Sequence, residues 1–217
     1  MVFYHFIWKA TRLFAKLYNN VEIVKEGEPP RKKPLVIIAN HTSYYDPVLV
    51  GIAIRRPVIF LAKKELYNNT LMRLFLHGMR SKPARRDRKD FDAAKISLKI
   101  LKDNMTLGLF PEGTRSQDGK FQPNLVKPGF LKIALRTDAF IQVIGISGSF
   151  EAFPKGAGLI HPGKIVICFN KPMSAAEAVA MFPGASIKER NSKLCKFYCD
   201  EIVRLCKKAA CLREKFL

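Results

Sequence analysis

Apolar positions along the chain follow two periods. Short unbroken runs at 35–39, 57–62, 106–110, 140–148 and 164–169 read as strands buried on both faces. Between them, 44–54, 71–79, 91–104 and 126–136 place their apolar residues at helical spacing. The tail, 186–216, predicts one long basic amphipathic helix. "EGEPPRKKP" and "RSKPARRDRKD" have the composition of loops. This alternation predicts an α/β fold, a single domain with a mixed, largely buried sheet flanked by helices.

The first 18 residues form a segment of a different kind. Phe3, Phe6, Ile7, Ala10, Leu13, Phe14 and Leu17 share one helical face, while His5, Lys9, Arg12 and Lys16 share a narrow sector of the other. Tyr4 and Trp8 flank the boundary. A core-packed helix would show a similar pattern. Bulky aromatics beside an all-basic polar face with no acid are also what a helix lying in a membrane interface needs. The expected organisation is an N-terminal amphipathic, membrane-interfacial helix over 1–20 and a catalytic-type α/β domain over 21–217.

Charge sharpens the picture only so far. The 217 residues carry 38 Lys+Arg against 18 Asp+Glu, a net charge of +20. Such a field attracts polyanions, whether nucleic acid, an anionic membrane or a phosphorylated substrate. No ribonucleoprotein-type glycine-aromatic motif and no zinc-finger spacing occurs, so nucleic acid is not the expected partner. No run reaches the roughly 18 apolar residues that span a bilayer. Lys9, Arg12 and Lys16 interrupt the N-terminal apolar residues, so no secretory signal is expected and the thiols should be reduced in a cytoplasmic compartment. Cys195, Cys199, Ile202 and Cys206 recur at helical spacing, which predicts a buried stripe rather than a metal site.

Two segments lie where α/β sheets gather their chemistry, just beyond the carboxyl ends of strands. In "NHTSYYDP", one helical turn can fold Asp46 back onto His41. A carboxylate there fixes the imidazole tautomer and stabilises the imidazolium, the base-plus-orienter part of a triad. No G-x-S-x-G supplies a protein nucleophile, so the nucleophile would be a substrate hydroxyl. Taken singly, His41 is also readable as a backbone-bonded loop histidine and Asp46 as a helix cap. In "FPEGTRS", Gly113 permits close backbone approach, Thr114 offers a hydroxyl and Arg115 a bidentate fork for a phosphate.

In this order and spacing the segments resemble the glycerolipid acyltransferase family typified by 1-acyl-sn-glycerol-3-phosphate acyltransferases. Asn40, His41 and Asp46 meet its N-H-x-x-x-x-D motif, and Phe110 to Ser116 meet F-P-E-G-T-R-S in full. "HGMRSKPARRDR" resembles the arginine-bearing second motif with Arg86 as the counterpart, and "LAKKEL" the stretch that brings in a lysine, Lys63. "KPGFLKIAL" is similar to the family's helix before its fourth motif. There the family usually has a proline, and this chain has Val143.

The resemblance implies transfer of a fatty acyl group to lysophosphatidate from acyl-CoA or acyl carrier protein, forming phosphatidic acid. His41 and Asp46 would be catalytic. Lys63, Arg86, Glu112, Gly113, Thr114 and Arg115 would hold the substrate phosphate. No metal or bound cofactor is implied, and the work would be done peripherally at the cytoplasmic face of the cell membrane. Acylation of glycerol 3-phosphate or another lysolipid is the near alternative; a non-enzymatic binder of anionic lipid is the alternative of another class.

Overall fold

The computed structural model describes residues 2–54, 56–84, 91–154 and 156–215, leaving aside the side chains of 2–7, 71, 75 and 91. In chain order the elements are α1 (Val2–Tyr18), β1 (Glu22–Lys25), β2 (Leu35–Ala39), α2 (Asp46–Ala53), β3 (Val58–Lys63), α3 (Thr70–Gly78), β4 (Lys82–Ala84), α4 (Phe91–Lys102) and β5 (Thr106–Leu109). There follow α5 (Gly129–Arg136), β6 (Phe140–Ser147), α6 (Ser149–Ala152), β7 (Val166–Phe169), β8 (Met173–Ser174), α7 (Ala175–Ala180) and α8 (Ile187–Glu214).

The strands form one mixed sheet in the order β1-β7-β6-β2-β5-β3-β4, with β8 beside β6. From β6 to β4 every neighbouring pair is parallel, whereas β7 and β8 run antiparallel to β6. All five residues of β2 are buried because helices cover both faces of the sheet. Val36 and Ile38 face a core built with Phe130, Leu131, Tyr198 and Ile202 from α5 and α8. Leu35, Ile37 and Ala39 face the opposite core with Leu49 and Ile52 of α2.

One expectation is corrected. The buried stripe of α8 is Leu194, Tyr198, Ile202, Leu205 and Ala209, and Cys195, Cys199 and Cys206 flank it half-buried. Larger aliphatic and aromatic residues one position away remove more apolar area from water than a thiol does, and they set the helix rotation. α1 docks through Trp8, Thr11, Ala15 and Asn19, with Trp8 Nε1–H donating to the Gly51 carbonyl of α2 at 2.9 Å. Leu13, Phe14 and Leu17 point away from the domain, Leu17 being 75% exposed. Leu13, Phe14 and Leu17 are therefore not part of the core.

Val143, where the related motif carries a proline, uses the N–H a proline would lack. That N–H donates to Asn170 Oδ1 at 2.8 Å, and Asn170 N–H returns a bond to the Val143 carbonyl. The exchange ties β6 to the end of β7. Among the described residues no helix is long and apolar enough to cross a membrane.

Candidate active site

Strand direction decides where the candidate residues meet. Because β2, β5, β3 and β4 are parallel, their carboxyl ends open on one side of the sheet. His41 follows β2, Lys63 ends β3, and the Phe110–Ser116 segment follows β5. Lys63 is exposed and lies in register with Ala84, the last residue of β4, so it stands beside the strand leading toward Arg86. Arg86 itself lies outside the described residues.

The His41 loop is fixed atom by atom. Asn40 extends the ladder between β2 and β6 with its side chain, donating from Nδ2 to the Ile146 carbonyl and accepting from Ile146 N–H at Oδ1. His41 Nδ1 lies 2.9 Å from Asp46 Oδ2, and the same oxygen accepts the backbone N–H groups of Thr42 and Ser43 at 2.7 Å each. Asp46 is fully buried, and its Oδ1 has no hydrogen-bond partner among the described residues. Facing a carboxylate acceptor, Nδ1 carries the proton and Nε2 keeps the lone pair. The imidazole is 18% exposed, so a substrate can reach it.

The second segment grips the first. His41 N–H donates to Glu112 Oε2 at 2.7 Å, and the His41 carbonyl accepts Ser116 N–H at 2.8 Å. Ser43 Oγ donates to the Phe153 carbonyl, while Thr42 and Ser149 share a hydroxyl–hydroxyl bond of 3.0 Å. Beneath the imidazole the rings of Phe110 and Phe60 continue a stack, with centroid spacings of 4.0 and 5.4 Å. A methyl on Gly108 would come within 2.3 Å of Phe60, so only glycine leaves room for that ring.

Glu112 needs correcting as a phosphate-binding residue. Its carboxylate is buried, with Oε1 accepting Gln122 N–H and Oε2 accepting His41 N–H. Both oxygens face inward, and a second anion beside them would be repelled. Burial, reinforced by the nearby Asp46 and Asp118 charges and opposed by the two backbone bonds, pushes the carboxyl up to about 7. The rest of the turn stays open. Gly113 has φ +70 and closes the turn by donating to the Phe110 carbonyl; Thr114 is exposed. The N–H groups of Thr114 and Arg115 have no acceptor among the described residues.

Arg115 carries no carboxylate partner among the described residues. Its guanidinium carbon sits 3.3 Å from the centroid of the Tyr44 ring, and its Nη1 is buried without an acceptor. Such an orphaned donor ordinarily costs about 1–3 kcal/mol. Lys127 leans over the same turn, its Nζ 4.0 Å from where a methyl on Gly113 would lie. Sequence reasoning singled out neither Tyr44 nor Lys127, because neither spacing nor residue type marks them.

Fold and site together define an α/β protein with a carboxylate-paired imidazole at the carboxyl edge of its sheet. A carboxylate-oriented imidazole can take a proton from a bound hydroxyl. The chain belongs to the acyltransferase family, whose model matches residues 20–147. It is 26% identical over 182 residues to the chloroplastic 1-acyl-sn-glycerol-3-phosphate acyltransferase LPAT1 of Arabidopsis thaliana, covering 81% of this chain and 50% of that one. With the 1-acyl-sn-glycerol-3-phosphate acyltransferase of Bacillus subtilis it shares 25% over 175 residues, 80% of this chain and 84% of the other. The crystal structure of the 1-acyl-sn-glycerophosphate acyltransferase PlsC from Thermotoga maritima superimposes with a TM-score of 0.70 at 25% identity, covering 93% of this chain and 80% of that one. The chain spans about half the length of the Arabidopsis relative and of its Brassica napus counterpart.

Proposed function

We propose that the protein is a 1-acyl-sn-glycerol-3-phosphate O-acyltransferase, acting in phospholipid synthesis. The observation that carries the reading is the 2.9 Å contact between His41 Nδ1 and the buried Asp46, at the carboxyl edge of a sheet shared with relatives of that name.

In this mechanism His41 Nε2 removes the proton of the lysophosphatidate hydroxyl as its oxygen attacks the thioester carbonyl of acyl-CoA or acyl carrier protein. Asp46 stabilises the imidazolium that forms. The tetrahedral intermediate collapses, the C–S bond breaks, and the thiolate takes the proton back from His41. The N–H groups of Thr114 and Arg115, unpaired among the described residues, are the donors at hand for the oxyanion; Gly113 N–H is already used. Arg115, Lys63 and Arg86 hold the phosphate, and with it the free hydroxyl, against His41. No bound metal or cofactor takes part.

Substrates of this kind reside in membranes. Residues 1–20 act as an interfacial helix that lays Leu13, Phe14 and Leu17 into an anionic surface, with the rest of the chain as the acyltransferase domain. Support comes from the outward apolar face of α1 and from exposed Lys9 and Lys16 beside it. The protein would then work peripherally at the cytoplasmic face of the cell membrane, without nucleic acid.

The deciding test is an assay of purified protein with lysophosphatidate and a thioester donor, following thiol release and phosphatidate formation together. Glycerol 3-phosphate and phosphate-free lysolipids serve as competing acceptors. Absence of turnover with every acceptor, in folded protein bound to anionic vesicles, would leave only lipid binding.

A further inference from the structure

Arg115 is held in place without being neutralised. An arginine usually finds a carboxylate or extends into water; this one has neither outlet complete, since Nη1 is buried without an acceptor among the described residues. What it does have is the face of Tyr44, 3.3 Å from ring centroid to guanidinium carbon. Stacking of this kind fixes the plane of the fork through the π face and consumes none of its N–H donors. A salt bridge would spend two of them.

Tyr44 is well placed to do this. It lies between His41 and Asp46, in a loop whose Thr42 and Ser43 amides are both tied to Asp46 Oδ2. The residue is 47% exposed, and its ring meets Phe153 only obliquely, at 6.2 Å. Little of the fold rests on it.

We infer that Tyr44 is a positioning residue for Arg115: its ring sets the orientation of the guanidinium, so that the loop carrying the base also aims the fork that receives the acceptor's phosphate. The inference rests on the reading of Arg115 as a phosphate ligand. It gives the tyrosine a role in acceptor specificity, since a lysolipid without a phosphate gains nothing from the stacked arginine.

The test compares Tyr44→Phe, Tyr44→Leu and Arg115→Ala, with lysophosphatidate and a phosphate-free monoacylglycerol as acceptors and the same thioester donor. Tyr44→Phe keeps the π face and should behave as wild type. Tyr44→Leu should raise KM for lysophosphatidate roughly 3- to 30-fold, the range of a cation–π contact, with a smaller change in kcat. The Kd of a short-chain lysophosphatidate, measured by titration, should rise by the same factor. Monoacylglycerol kinetics and melting temperature should not move. In an Arg115→Ala background Tyr44→Leu should add nothing, because the group it orients is gone.

The inference is overturned if Tyr44→Leu leaves lysophosphatidate binding unchanged, weakens both acceptors equally, or keeps its full effect without Arg115. An Arg115→Ala protein that treats both acceptors as wild type does is a different failure: it removes the phosphate reading itself.

Discussion

Glu112 Oε2 accepts the backbone N–H of His41 at 2.7 Å, across 71 positions of sequence. The acid of one motif thus holds the main chain of the histidine in another, and its other oxygen holds Gln122. Both bonds are made in a buried setting, where the loss of either costs more than it would at the surface.

That burial gives a pH signature. The carboxyl is raised from its ordinary 4.5 to about 7, so the folded state holds this proton where the unfolded chain has released it. The stabilising contribution is complete below pH 4.5 and is lost as pH rises through 7. Glu112→Gln stays neutral throughout. Its stability relative to wild type, from urea unfolding at pH 5, 6, 7 and 8, should therefore improve with pH, by an amount on the order of 3 kcal/mol. A difference that stays flat over this range would mean that Glu112 is ionised throughout.

His41→Ala should remove acyl transfer, by ~10²–10⁴, while leaving melting behaviour close to wild type, because a half-buried loop imidazole contributes little packing. Asp46→Asn is the finer probe. Its amide oxygen can still accept the Thr42 and Ser43 amides, but the charge that stabilises the imidazolium is gone. A loss of at least ~10² in kcat with the loop intact is expected. Near-normal turnover in folded His41→Ala would sink the mechanism.

Much of the candidate site is legible in the sequence, and the parts that are not share a cause. His41, Asp46 and the 110–116 turn are local motifs, and the runs that became β2, β5 and β6 are buried on both faces, so pattern alone located them. Lys82–Ala84 was read as loop because an edge strand with an exposed lysine and proline has no apolar pattern. Glu22–Lys25 is hard to see in the sequence because it is a four-residue edge strand, paired among the described residues with β7 alone. The capping box of α7, Ser174 with Glu177, was present in the letters but introduces only six residues. Glu112 was misassigned because its partners, His41 and Gln122, are chosen by tertiary folding. Helical spacing marks the apolar face of α1, while the outward turn of Leu13, Phe14 and Leu17 follows from the docking of Trp8, Ala15 and Asn19.

Gly108 tests the ring stack. An alanine there puts a methyl within 2.3–2.8 Å of three Phe60 ring atoms, and Phe60 is buried, so the ring must move. Overpacking of this sort costs about 1–3 kcal/mol. The displacement passes to Phe110 and from there to the imidazole stacked on it at 4.0 Å. Gly108→Ala should lower both melting temperature and kcat. Gly163→Ala, at a position with nothing within 4 Å, should change neither.

Arg115→Lys separates charge from shape. Lysine retains the positive charge but not the planar fork, and an ammonium cannot stack flat on Tyr44. KM for lysophosphatidate should rise nearly as much in Arg115→Lys as in Arg115→Ala, with kcat also lowered because the phosphate positions the hydroxyl. Full rescue by lysine, measured with the same acceptor, would mean that only a point charge is needed there.

The membrane reading of α1 makes the most separable prediction. Leu13, Phe14 and Leu17 are exposed on the side of the helix away from the domain, while partly exposed Tyr18 turns back, its Oη–H donating to the Ile160 carbonyl beside exposed Leu159. Lys9 and Lys16 stand at the border of this apolar strip. Each basic residue near an anionic leaflet contributes about 1 kcal/mol, a contribution that salt screens; burial of the apolar strip adds one that salt does not. Intact protein should therefore keep part of its binding to anionic vesicles at high salt. Leu13→Ser with Leu17→Ser should make the remaining binding fully salt-sensitive. These substitutions leave Trp8, Ala15 and Asn19 in place, so the helix stays docked and melting temperature should hold. Turnover of monomeric short-chain lysophosphatidate should survive them better than turnover on vesicles, because His41 and Asp46 lie outside the helix. Equal vesicle binding by the double variant at every salt concentration would show that the strip does not enter the membrane.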